Sequence, residues 1–128
     1  MKRIINAQKG APAVGPYNHA TAHNGTLYVS GQIAINPETK ELVLDNIEAE
    51  TRQVLKNIGV ILEAANCTYH DVLKASVFVS DMNNYGRINE VYKEFFTNDD
   101  TAPARELVEV ANLPKFVNIE ISVIAAFD

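Results

Sequence analysis

The sequence predicts an α+β fold, a sheet of five or six strands covered on one face by two helices. Three observations predict it. The hydrophobic period changes from two to three-and-four, and back, twice along the chain. Only two segments carry the helical period. At roughly 100–200 residues per domain, 128 residues make one domain, 1–128, so two helices are all there is to cover a sheet.

Each element follows from its residues. Asn24-Gly25 is a strong hairpin signal, and Thr26-Leu-Tyr-Val-Ser30 alternates behind it, so 17–23 is paired with 26–31. Ile33 and Ile35 precede an Asn36-Pro37 turn, with Leu42 and Val43 beyond it. Ile47, Thr51, Val54, Leu55, Ile58, Ile61, Leu62 and Ala65 then recur at helical steps. Asp45, with Glu48 three residues on, is the expected cap, and Asn66 the expected stop. Val72–Ser80 reads as a strand with Leu73, Ala75, Val77 and Val79 on one face. Asp81 or Asn83 is expected to cap a second helix whose apolar stripe is Tyr85, Ile88, Tyr92, Phe95 and Phe96. Pro103 breaks the chain before a strand at Arg105–Val110. Val117–Phe127 is the longest strand, with Glu120 and Ser122 opposite its apolar face.

The uncovered face of such a sheet is the informative one. If Leu27, Val29, Val108, Val110, Ile119 and Ile121 point at the helices, the other side carries Tyr28, Ser30, Arg105, Leu107, Glu109, Glu120, Ser122 and Ile124. That mixture is neither a solvent face nor a core, and it predicts self-association.

Composition narrows the function. Lys plus Arg number 11 against 16 Asp plus Glu, a net charge of −5, which argues against a broad basic nucleic-acid face. The single cysteine, Cys67, excludes a disulfide framework or a multi-cysteine zinc site. No apolar run approaches the roughly 20 residues of a membrane span. The N-terminal run is too short for a signal core, so a cytoplasmic address is expected.

Most chemistry-bearing residues have plain readings. His19 and His23, four apart on a strand, lie about 13 Å from each other, too far to share an ion. His70 reads as solvated and Cys67 as a small structural thiol. Arg105 and Glu120 remain: charges in otherwise apolar strands, costly to bury unless they pair or bind something. Either they form a structural ion pair, or Arg105 is a fork for a carboxylate with Glu120 as a nearby acid/base. Tyr17, after Gly15-Pro16, is either a phenol that this stiff turn presents over a pocket or a half-buried strand tyrosine.

At these residues the sequence resembles the RidA/YjgF family. The matching motifs are A-P-A-V-G-P-Y (11–17), V-S-G-Q-I (29–33), N-P (36–37), K-A-S-V-F-V-S-D-M (74–82), N-E-V-Y (89–92), P-A-R (103–105), V-E-V-A-N-L-P (108–114) and I-E-I (119–121). The ordered set spans nearly the whole chain. The resemblance implies a chorismate-mutase-like α+β fold with a mixed sheet of about six strands. It implies a homotrimer with helices outside and clefts between subunits. It also implies hydrolysis of reactive enamine/imine intermediates such as 2-aminoacrylate, released by pyridoxal-phosphate enzymes, to 2-keto acids and ammonia. No metal or cofactor is implied. Carried over by position, Arg105 binds the substrate carboxylate and Glu120 holds or activates water. Tyr17, Ser30, Gly31 and Asn89 line the cleft, and Leu107 contributes backbone groups. Where many deaminase members have cysteine two positions after the arginine, this chain has Leu107. His19, after Tyr17-Asn18, is placed at the cleft rim. Two other readings are weighed: a trimeric module that binds a keto acid or other carboxylate without turnover, and a ribonuclease, which the net charge disfavours.

Overall fold

The computed structural model describes residues 1–128. The elements are β1 (Arg3–Ile5), β2 (Ala20–His23), β3 (Thr26–Gln32), α1 (Ile47–Ala64), β4 (Val72–Val79), α2 (Tyr85–Phe95), β5 (Ala104–Glu109) and β6 (Ile119–Ala126). They make one six-stranded sheet in the order β1-β2-β3-β6-β4-β5. Every neighbouring pair is antiparallel except β4 and β5. Those two run parallel because α2 carries the chain back between them, the crossover a parallel pair requires. The fold class is the predicted one, with β1 added and with the segment around the Asn36-Pro37 turn forming only a single Ile35–Leu42 bridge. Three residues, the first two of them exposed, carry too little period for a sequence reading to find β1.

The β2–β3 hairpin turns at Asn24 (φ 49°) and Gly25 (φ 78°). Two consecutive positive φ values are what a type I′ turn needs, and Asn-Gly tolerates both. Helix α1 ends where expected, with Asn66 left-handed at φ 59°. Its start corrects the sequence expectation: Asn46, not Asp45, is the cap, and its side chain accepts from the Ala49 N–H at 2.7 Å. Neither Asp81 nor Asn83 caps α2: Asp81 caps the 3-10 turn 82–84 that leads into it, and α2 itself starts after Asn84 with no side-chain cap.

Both helices lie on one face. The apolar side of α1 (Val54, Leu55, Ile58, Ile61, Leu62) is fully buried with Leu27, Ala75, Val77, Ile119 and Ile121 of the sheet. Glu50 is buried there too. Its carboxylate accepts from the Asn118 N–H and Nδ2 at 2.8 Å each and from the Ile119 N–H at 3.3 Å, so three donors offset its desolvation. Across the outer surface Arg52–Glu94 and Arg87–Glu48 tie α1 to α2 in bidentate pairs.

Two face assignments differ from expectation. Leu73 is exposed because β4 bulges between Val72 and Lys74 against β6. In β5 the whole parity is reversed. Ala75 pairs with Arg105 and Val77 with Leu107, so Arg105, Leu107 and Glu109 share the helix-covered face. Glu106 and Val108 are on the open face with Ser76, Phe78, Glu120, Ser122, Ile124 and Tyr28. The reason is that β5 is an edge strand with apolar residues of both parities, so its alternation does not decide which side is inward.

Candidate functional site

The predicted site residues fall into two groups on opposite faces of the sheet. On the open face, β3 slips register between Val29 and Gln32, so Ser30 and Gly31 stand opposite Ser122 of β6. This bulge re-aims the backbone beside Glu120. Gly31 leaves the room that the Glu120 carboxylate takes: a Cβ at this position would overlap it. Ser30 Oγ donates to the Asn18 carbonyl at 2.6 Å. Tyr17 is hooked over the same spot by its own turn. Its N–H donates to the Gly15 carbonyl at 2.9 Å, and its hydroxyl accepts from the Val14 N–H at 3.2 Å. Tyr17, Ser30, Gly31 and Glu120 line one open cavity of about 310 Å³, with Val14, Ile33 and Pro114 as its apolar wall.

Glu120 is half-buried, and its pKa is raised above the ordinary carboxylate value by burial alone. No cation or hydrogen-bond donor of the protomer offsets that, so the carboxyl is set to exchange a proton closer to neutrality.

The second group surrounds Arg105 on the helix-covered side. Nη1 donates to Asn89 Oδ1 at 2.8 Å, and Nη2 to the Tyr85 hydroxyl at 3.3 Å. The guanidinium carbon is 4.8 Å from the Tyr92 ring centre and 5.8 Å from that of Tyr85. Every partner is neutral, and Arg105 takes part in none of the chain's ion pairs. Of its five N–H donors three are uncommitted. Leu107, two residues on, is half-buried and packs against the main core. Its backbone is more informative than its side chain. The Val110 N–H donates to the Val79 carbonyl at 2.8 Å, and by alternation the N–H and C=O of Leu107 point away from β4, off the open edge of the sheet.

Arg105 and Glu120 therefore do not form the ion pair that was one reading of the sequence. They are separated by β4, about two strand spacings or roughly 10 Å, and by the thickness of the sheet. Tyr85 and Tyr92 were read only as the apolar stripe of the second helix. The spacing of both from Asn89, four before and three after, was the signal that they share its face.

The other candidates are structural. His19 is buried. Nδ1 accepts from the Ala7 N–H at 3.0 Å, and Nε2, which then carries the proton, donates to the Ala11 carbonyl at 2.7 Å. It pins the 7–11 loop and is not among the residues that line the Glu120 cavity. Burial pushes the Cys67 thiol up, away from the reactive thiolate. No group of three or more His, Cys, Asp or Glu is arranged to hold a metal. No helix is long and apolar enough to cross a membrane.

Comparison with known proteins places this arrangement. The family model "Endoribonuclease L-PSP" matches residues 8–127. RutC family protein slr0709 of Synechocystis is 47% identical over 126 residues, which is 98% of this chain and 95% of that protein. The 2-iminobutanoate/2-iminopropanoate deaminase of Homo sapiens is 40% identical over 125 residues, 98% of this chain and 90% of that protein. The crystal structure of E. coli TdcF with bound serine superposes with a TM-score of 0.92 at 38% identity, covering 98% of this chain and 99% of the other. With the motifs, the six-stranded sheet and these relatives in agreement, the chain belongs to the Endoribonuclease L-PSP family, the RidA/YjgF family that its sequence resembles.

Proposed function

We propose that the protein hydrolyses 2-imino and 2-enamino acids, of the 2-iminopropanoate and 2-iminobutanoate type, to 2-keto acids and ammonia, in clefts between the subunits of a homotrimer. The observation that carries this reading is the state of Arg105: a fixed guanidinium with only neutral partners and three free donors. A protein keeps such a charge uncompensated where an anion completes it. Similarity to deaminases at about 40% identity supports the reaction class. The serine in the related TdcF structure supports a small carboxylic acid as the ligand.

The chemistry asks little beyond orientation. An imine carbon is already electrophilic, so water adds to it without a strong nucleophile. Arg105 takes the substrate carboxylate in two parallel hydrogen bonds. Glu120 takes a proton from the attacking water and passes it to the imine nitrogen, giving the carbinolamine; it then takes the hydroxyl proton and passes it to the amine as the C–N bond breaks and the C=O forms, so that ammonia leaves. Tyr17, Ser30 and the Gly31 backbone wall the cavity beside Glu120, and Asn89 holds Arg105. The outward N–H and C=O of Leu107 are available to the substrate whatever side chain stands at 107. Because Arg105 and Glu120 lie on opposite faces of one protomer, a substrate a few ångströms long meets both only where two copies abut. RNA cleavage is the weaker reading, since a net charge of −5 offers no excess of cations to neutralise phosphates.

The test generates 2-aminoacrylate and 2-aminocrotonate in situ with a serine/threonine dehydratase and follows imine loss. Acceleration by the protein, absent in Arg105→Ala, is the expected result. No acceleration by the folded protein, together with 2-oxobutanoate binding, points to a carboxylate-binding module without turnover.

A further inference from the structure

The enclosure of Arg105 is built by a single helix. Tyr85, Asn89 and Tyr92 stand at i, i+4 and i+7 of α2, so one helix face presents all three to β5. Their contacts are unequal. Tyr92 is only 8% exposed, and its ring is held by Phe96 at 4.6 Å between centres, with Phe96 edge-on to Tyr69 at 5.7 Å. The Tyr92 hydroxyl is buried without a hydrogen-bond partner. Burial also raises its pKa, so it stays neutral under the guanidinium. Tyr85 is 44% exposed, and its hydroxyl accepts from Nη2 across a long 3.3 Å, against 2.8 Å for Asn89.

We infer that Tyr92 and Tyr85 are positioning residues with different tasks at the anion site: Tyr92 is the fixed ring that seats the Arg105 guanidinium, and the Tyr85 hydroxyl is an exchangeable partner that holds one of the two N–H groups of Nη2 until a carboxylate, which needs two parallel N–H groups, displaces it. This rests on the reading of Arg105 as the carboxylate anchor. A buried, neutral ring attracts the cation without neutralising it, which a carboxylate in the same place would do. An exposed, neutral acceptor at long range gives way to a charged one, whose hydrogen bonds are roughly twice as strong.

The test measures the dissociation constant of 2-oxobutanoate, a stable carboxylate probe, for the unmodified protein and four variants, with melting temperatures alongside. Tyr85→Phe keeps the ring and removes the competing acceptor, so binding tightens about threefold. Tyr92→Leu removes the ring face and weakens binding about tenfold. Tyr92→Phe keeps the ring and leaves the constant unchanged. A purely structural role would move melting temperatures and not this pattern. Weaker or unchanged binding in Tyr85→Phe overturns the exchangeable partner. Unchanged binding in a folded Tyr92→Leu overturns the fixed ring. Should Tyr92→Leu fail to fold, Tyr92→Phe decides that half, and a loss of binding there overturns it. If Arg105→Ala binds 2-oxobutanoate as well as the unmodified protein, the anchor itself is wrong and this inference falls with it.

Discussion

Two charges define the candidate chemistry, and each has a physical signature that substitution reads. Arg105→Ala removes the fork held by Asn89, Tyr85 and Tyr92; turnover is expected to fall by at least about 10²-fold with the melting temperature nearly unchanged, because Asn89 and Tyr85 are left near solvent. Glu120→Gln keeps the shape and removes the proton carrier, a loss of about 10²–10⁴-fold. Its effect on stability has the opposite sign. Burial raises the Glu120 pKa in the folded protein above its unfolded value. That group therefore contributes stability in full below the unfolded pKa and loses it as pH rises through the folded one. At neutral pH the ionised, half-buried carboxylate is a net cost. Glu120→Gln should therefore melt higher than the unmodified protein at pH 7, and the difference should vanish as pH falls below the ordinary carboxylate range. Melting curves between pH 4 and 8 check this; a Glu120→Gln that melts lower at pH 7 contradicts it. Gly31→Ala tests the fit between the two strands. Its Cβ and the Glu120 carboxylate cannot share the space, so the carboxylate swings away. Activity should drop about 10²-fold, in a protein that still folds, since only the far end of a side chain has to move.

At the scale of elements, α1 sets where β6 begins. Glu50 fixes the backbone of Asn118 and Ile119 from inside the core, one residue before Glu120. Glu50→Ala strands three donors and is expected to destabilise by about 3 kcal/mol or more. Denaturant unfolding should show that loss beside a much smaller one, about 1 kcal/mol, for removal of the cap in Asn46→Ala. Legibility divides along the same line. The helices, the hairpin and β6 were readable because each has a long, one-sided period or a turn with special chemistry, as at Asn24-Gly25. Strand β5 was readable as a strand and not as a face: Leu107 argues for one side, Val108 and Val110 for the other, and only its pairing with Ala75 and Val77 decides. That single ambiguity put Arg105 on the side of Glu120 in the sequence reading and concealed its tyrosine enclosure. Glu50 was invisible for a related reason. A glutamate in the first turn of a helix reads as a favourable surface charge, and nothing local says that a distant loop will offer it three N–H groups. Residue roles at Ser30, Gly31 and Asn89 came from family resemblance, since their neighbours in space (Asn18, Glu120 and Arg105) are remote in sequence.

For the whole molecule, the sheet explains why a site would need more than one copy. One face is filled by helices. The other leaves Tyr28 and Val108 exposed on the same face as Glu120, while Arg105 sits at the far edge strand on the covered side. In the proposed homotrimer these would be two half-sites, each chemically incomplete, joined by packing one copy's edge against the next copy's open face. Sedimentation at micromolar concentration should therefore give three times the 14.1 kDa chain mass; a 14.1 kDa species that deaminates would contradict the shared cleft. The most direct measurement mixes two inactive variants. Arg105→Ala and Glu120→Gln are unfolded together in equal amounts, refolded, and assayed for imine hydrolysis. If Arg105 of one copy acts with Glu120 of the next, random assembly restores both groups in about a quarter of the clefts, and activity returns to about that fraction of the unmodified protein. If mixed trimers form and no activity returns, the two residues do not serve one site across the interface.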